Sequence, residues 1–189
     1  MKEVKFNTII YGGSFNPLHE GHLEIIKEII TKFNYEEFVV QKVISPYYKK
    51  STDYQSRNLV DKLPFKIIDD KTGYLIDFLK QNKMLKKTNL YVIGLDSLNS
   101  IKSWKEIKII TKNINILVFK RAGIEIDKNI MKDLGYQSKN DHFWTHTNRT
   151  SLMLYDYCPK NISSSQIRKN NSLELSEDVF KNYLHSFSK

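Results

Sequence analysis

Short apolar runs of strand length alternate with longer amphipathic stretches along most of these 189 residues. Residues 5–11 read as a strand. Residues 18–33 read as a helix, with Leu18, Ile25, Ile26, Ile29, Ile30 and Phe33 recurring near the helical period. A second strand follows at 38–45, FVVQKVIS. Strand, helix and strand with a crossover of this size require parallel pairing and a right-handed connection. The pattern continues with a short helix at 57–63, strands at 65–69, 88–93, 115–120 and 152–157, and helices at 74–85 and 96–111, the latter broken near Ser103. Ser163 opens another helix, and 176–187 forms a terminal one. Residues 122–141 carry the weakest pattern, one helix at 127–134 between loops. The alternation predicts an α/β fold with a mostly parallel sheet, helices on both faces and a C-terminal helical segment. Ligands of such sheets bind beyond the carboxyl ends of the strands, where strand order reverses.

The length suits a single domain spanning 1–189, large enough for a substantial core. No apolar run approaches the roughly 20 residues a membrane span needs, so no membrane partner is expected. MKEVKFNTII runs straight into a strand pattern and is read as no signal peptide. Cys158 is the one cysteine, so no internal disulfide forms; this suits a reducing compartment, the cytoplasm. Cys158 is expected to pack as a small hydrophobe. The formal charge is +9, from 30 Lys and Arg against 21 Asp and Glu. Nucleic acid, an acidic membrane surface or an anionic substrate would each suit that balance. However, lysines far outnumber arginines, and no motif interleaves bases with aromatics, so a nucleic-acid partner is not expected. The pattern leaves oligomeric state open.

Chemistry concentrates in residues 9–22, IIYGGSFNPLHEGH. A strand ends, Gly12 and Gly13 allow a turn, and Pro17 suits a helix start. His19 and His22, three apart in the first helical turn, share a face beside unpaired backbone N–H groups. Such a constellation is a site for a polyphosphate. Downstream, NISSSQIRK places Ser163, Ser164 and Ser165 before a helix, as caps or anion donors, with Arg168 one turn in. In VIGLDSLNSIKSW, Gly94 follows a strand and lets a nucleotide approach the backbone; Asp96 can accept from ribose hydroxyls or cap a helix.

These runs resemble the nucleotidylyltransferase superfamily. Residues 13–22 resemble its GxFxPxHxGH signature, and ISSSQIR resembles its second signature, I-S-S-[ST]-x-I-R. Gly94, Asp96, Ser97 and Leu98 followed by Trp104 are similar to the nicotinate (nicotinamide) mononucleotide adenylyltransferases. The resemblance implies a Rossmann-like domain that joins ATP to a pyridine mononucleotide, releasing pyrophosphate. It implies that His19, His22 and Arg168 are catalytic, and that Gly12, Gly13, Ser14, Phe15, Gly94, Asp96, Ser163, Ser164 and Ser165 bind ATP. It further implies Lys50, Tyr74, Trp104 and Arg121 at the mononucleotide, the tryptophan stacking on the pyridine ring. Lys50 is chosen over Lys49 in ISPYYKK, a loop where relatives carry a lysine. Tyr74 matches the family's Ser-Tyr-Thr segment at the middle only, since Gly73 and Leu75 depart from it, and residues 57–73 are shorter than in the family.

ATP and nicotinate mononucleotide are therefore the expected partners, with Mg²⁺ carried on the ATP oxygens and no side-chain cage for it. A phosphate monoester is already an anionic nucleophile near neutral pH, so no general base is required. Two rival readings remain at this point: another transferase on the same scaffold, acting on phosphopantetheine or using CTP, and a basic nucleic-acid-binding module. Sequence does not choose between nicotinate and nicotinamide mononucleotide.

Overall fold

The computed structural model describes residues 4–44, 58–170 and 175–187. Eight strands form one sheet: β1 (Lys5–Gly13), β2 (Asn34–Val43), β3 (Lys66–Asp70), β4 (Leu90–Gly94), β5 (Asn115–Phe119), β6 (Tyr136–Asn140), β7 (Phe143–His146) and β8 (Ser151–Tyr155). Their order across the sheet is β3-β2-β1-β4-β5-β8-β7-β6. The first six are parallel, as the alternation predicts; β7 runs antiparallel to β8, and β6 antiparallel to β7. The β6–β7 hairpin begins in the stretch 122–141, expected to hold only loops and one helix, and corrects that reading; β7 lies beyond that stretch. The hairpin's outer strand buries only Tyr136, so it lacks the apolar alternation that announces a strand.

Seven helices complete the described chain: α1 (Glu20–Lys32), α2 (Leu75–Gln81), α3 (Leu95–Asn99), α4 (Ile107–Asn113), α5 (Lys128–Asp133), α6 (Ser164–Asn170) and α7 (Glu177–Phe187). The helix expected at 96–111 is α3, a 3₁₀ turn at Ile101–Ser103 and α4, and the one expected at 57–63 is only a 3₁₀ turn at Val60–Lys62. Adjacent strand residues bury opposite faces, following the strand period of two. Ile9, Val40, Leu90, Val92 and Leu117 face α1 and α7, meeting Leu23, Ile26, Ile29 and Phe180. Ile10, Val39, Tyr91, Ile93, Ile116 and Val118 face the other way, onto α2 to α5 through Ile76, Leu79, Leu98, Ile110 and Ile130. Among the described residues no helix is long and apolar enough to cross a membrane. Cys158 is exposed, so it is not the packed hydrophobe expected of it.

β1 is flanked by β2 and β4, and the chain leaves it in opposite directions to reach them. The ends of β1 and β4 therefore border a crevice at the reversal point, where such sheets take ligands. Gly12, Gly13 and Gly94 stand on its rim.

Candidate active site

The turn after β1 differs from the expected one. Gly12 and Gly13 are the last residues of the strand, and neither has a positive φ. Phe15 makes the reversal, at φ 44. Its ring is buried, edge-on to Tyr11 at 5.5 Å and to His22 at 5.0 Å between centroids. Packing on both sides holds a conformation that L side chains disfavour. Glycine at 12 answers a spatial demand instead. A Cβ there would stand 2.1 Å from Tyr91 Oη and 2.6 Å from Gln41 Oε1.

Pro17 lies upstream of the helix rather than opening it. His19 is the N-cap of α1, with extended backbone, and His22 is the third helical residue. The imidazoles stack, with centroids 3.6 Å apart and planes at 23°. The His19 backbone N–H donates to His22 Nδ1 at 3.3 Å. That bond leaves the proton of neutral His22 on Nε2, the nitrogen free to act as a donor. Burial, aided by the charge of Arg121, lowers the His19 pKa to about 4. Burial, His19 and Arg121 hold His22 well below the usual histidine range. Both rings are therefore neutral at pH 7 in the ligand-free protein.

The SSSQIR segment lies on the same side of the molecule as the imidazoles. Ser163 and Gln166 cap α6 reciprocally: the Gln166 N–H donates to Ser163 Oγ at 3.2 Å, and the Ser163 N–H to Gln166 Oε1 at 2.8 Å. Ser164 Oγ donates to the Pro17 carbonyl at 3.1 Å. Arg168 donates to the Asn16 carbonyl, and through Nη2 to Ser165 Oγ at 2.9 Å. Helix α6 is thus stitched to the loop that delivers His19.

A cleft of about 320 Å³ opens among these parts. Of the expected ATP and catalytic residues it is lined by Gly12, Gly13, Ser14, His19, His22, Gly94, Asp96 and Ser163 to Ser165. Phe15 and Arg168 are absent from its wall and support it from behind. Arg121, expected at the mononucleotide, lines this cleft instead and pairs with Asp96 at 2.8 Å. Lys120 and Lys160 also line it and were not picked out from the sequence.

A second cavity, of about 400 Å³, adjoins the first; Gly12, Gly13, Ser14 and Ser97 line both. Tyr74 and Trp104 lie on its wall. Lys105 sits 4.9 Å over the Tyr74 ring and is tied to Asp77 at 2.8 Å. Its floor is a buried polar chain that the sequence reading missed. Tyr91 Oη donates to Gln41 Oε1 at 2.8 Å, and Gln41 Nε2 donates to Asp70 Oδ2 at 2.7 Å. Asp70 Oδ1 accepts from the Thr72 N–H and hydroxyl at 2.8 and 2.7 Å. The one available signal was Gln41, a polar residue inside the apolar strand FVVQKV. Lys50 lies outside the described residues.

Among the described residues no three His, Cys, Asp or Glu side chains gather as a metal site. The cleft offers backbone N–H groups, hydroxyls and imidazoles, and its one carboxylate, Asp96, is engaged by Arg121. This donor set suits the oxygens of a phosphate.

A parallel sheet with its ligand crevice at the reversal point, and an anion-binding cleft beside an aromatic-walled cavity, defines a nucleotide-binding α/β protein of the Rossmann-like class. Comparison with known proteins narrows this. The sequence pattern of the cytidylyltransferase-like family matches residues 10–170. A protein of Pelagibacter ubique named as a probable nicotinate-nucleotide adenylyltransferase is 30% identical over 184 residues, covering 89% of this chain and 96% of its own. A protein of the same name from Fusobacterium nucleatum is 27% identical over 186 residues, covering 90% and 89%. Among solved structures, the Plasmodium falciparum nicotinic acid mononucleotide adenylyltransferase complexed with NaAD superposes with a TM-score of 0.66 at 20% identity, covering 97% of this chain and 95% of the other; that likeness speaks for the fold. The chain belongs to the cytidylyltransferase-like family and, within it, to the nicotinate-nucleotide adenylyltransferases.

Proposed function

We propose that this protein transfers the adenylyl group of ATP to nicotinate mononucleotide, forming the deamido dinucleotide and pyrophosphate in NAD biosynthesis. The observation that carries this reading is the joining of two cavities at Gly12–Ser14 and Ser97. One is walled by anion donors and the other by Tyr74 and Trp104, which suits a triphosphate and a pyridine nucleotide meeting at their phosphates. The names of the relatives support the choice of acceptor. The reading includes a cytoplasmic location, which suits an enzyme acting on two small-molecule substrates.

The mononucleotide 5′-phosphate attacks the α-phosphorus of ATP; a bond forms from its oxygen as the bond to the bridging oxygen of pyrophosphate breaks. The attacking oxygen is already anionic, so the protein's work is positioning and charge stabilisation. Backbone N–H groups of residues 12–15, the His22 Nε2–H and the His19 ring act on the triphosphate where charge accumulates. Ser164 and Ser165 hydroxyls hold the departing pyrophosphate. Arg168 keeps those hydroxyls against the His19 loop, and Asp96 and Arg121 take the ATP ribose and a phosphate edge. Trp104 and Tyr74 hold the pyridine ring. When bound with ATP, Mg²⁺ would supply further positive charge against the phosphates, with no side chain of the described cleft required to hold it.

The test is pyrophosphate release with dinucleotide analysis by chromatography, using ATP or CTP against nicotinate mononucleotide, nicotinamide mononucleotide and phosphopantetheine. ATP-dependent turnover of nicotinate mononucleotide is expected. Turnover confined to phosphopantetheine, or to CTP, overturns the proposal.

A further inference from the structure

Backbone N–H groups, hydroxyls and the two imidazoles bring dipoles to this cleft, and its full positive charges come from Lys120, Arg121 and Lys160. Arg121 is engaged by Asp96 and Lys120 by Asp156 at 2.5 Å, while Arg168 is spent on the Asn16 carbonyl and Ser165. Lys160, itself paired with Glu20, is the cation of the cleft wall that lies nearest in the chain to the serines. It lines the same cleft as Ser163, Ser164, Ser165, His19 and His22. Its backbone is fixed independently of its side chain. The N–H donates to Glu24 Oε2 at 2.6 Å, and the carbonyl accepts from the Ile162 N–H at 2.7 Å. That carbonyl lies 3.1 Å from where a Cβ of Gly21 would stand, so the absence of a side chain at 21 lets this segment close onto the first turn of α1. The side chain is half exposed, with its ammonium on Glu20, the first residue of α1. An ammonium carries three donors, and one carboxylate leaves the others free for a second anion.

We infer that Lys160 is a further phosphate-binding residue, taking the triphosphate of ATP on the side of Ser163 to Ser165, with Glu20 holding its ammonium in place. The inference rests on the adenylyl-transfer reading for the identity of the ligand. Glu20 follows His19 directly in the chain, so the contact ties the ammonium to the element that positions the imidazoles. The flexible stem lets the ammonium follow the β- and γ-phosphates as they separate from the α-phosphorus, which the backbone donors of residues 12–15 cannot do.

The experiment is calorimetric titration of the full chain with inorganic tripolyphosphate at fixed ionic strength, on wild type, Lys160→Met and Lys160→Arg, followed by steady-state kinetics. Lys160→Met keeps the stem and removes the charge. It is expected to weaken tripolyphosphate binding tenfold or more and raise the ATP KM to match, with the mononucleotide KM within twofold. Lys160→Arg is expected to stay within about threefold of wild type, since it keeps the charge. Unchanged tripolyphosphate binding in Lys160→Met overturns the inference; so does an equal loss in Lys160→Arg, which would mark a packing effect. Lys160-dependent tripolyphosphate binding in a protein that makes no dinucleotide would instead refute the adenylyl-transfer reading and leave the anion site standing.

Discussion

Gly12→Ala puts the reasoning about the cavity floor at most risk. The added methyl would stand 2.1 Å from Tyr91 Oη, 2.6 Å from Gln41 Oε1 and 2.9 Å from Tyr91 Cζ. Tyr91 and Gln41 are buried at 6% and 1% exposure, so neither can swing into solvent. Gly12 is itself held in register with Gln41 by β1–β2 pairing. Overpacking of this kind costs roughly 1–3 kcal/mol. Displacing the tyrosine hydroxyl from Gln41 leaves a buried polar group unpaired, about 1–3 kcal/mol more. The expected loss is about 4 kcal/mol, or about 10 °C in melting temperature for a chain of this length. Urea denaturation measures it. Tyr91→Phe removes the nearest clashing atom, so in that background Gly12→Ala should cost less, a coupling readable in a double-mutant cycle. A loss under about 1 kcal/mol, or strict additivity with Tyr91→Phe, would refute the claim that glycine is required here for space.

Three further outcomes are expected. His22→Ala should lose about a hundredfold or more in kcat, with a small change in ATP KM, because it removes a donor aimed at developing charge; unchanged turnover in stopped assays would exclude that role. Trp104→Ala should raise the mononucleotide KM about tenfold and leave the ATP KM within twofold; a reversed split would move the pyridine ring out of the second cavity. Stability of the ligand-free protein should fall as pH drops from about 6.5 through about 4. Buried His19 is neutral down to about 4 while its unfolded counterpart protonates near 6.5, so the unfolded state binds more protons in that window. The shift corresponds to about 3 kcal/mol, and His19→Asn should flatten the slope in denaturation curves taken across that range.

Much of this architecture was legible because its signals are local. Helix α1 announces itself through Ile25, Ile26 and Ile29, which recur near the helical period and are buried. The parallel strands read as apolar runs because both faces are covered, which is why Asn115–Phe119 is buried throughout. The β6–β7 hairpin was illegible for the opposite reason. Four of the five residues of β6 are exposed, and the strand exists through its pairing with β7, as in Tyr136 with His146 and Gln137 with Thr145. Residue spacing alone does not carry such a nonlocal partner.

The site divides along the same line. Sequence alone determined the residue types at the phosphate end, His19, His22 and Ser163 to Ser165, because an anion needs donors at a helix start and the two motifs supply them. Only the tertiary structure decided which donors share a wall. It placed Arg121 against Asp96 in the cleft that His19 and His22 line, and left Arg168 off the wall of that cleft. It also drew Gln41, Asp70 and Tyr91 together beneath Gly12, although they lie on three different strands. Charge pairing and burial depend on what folding brings within a few ångströms, and residues 29 to 50 positions apart in the chain meet there only after the sheet has formed.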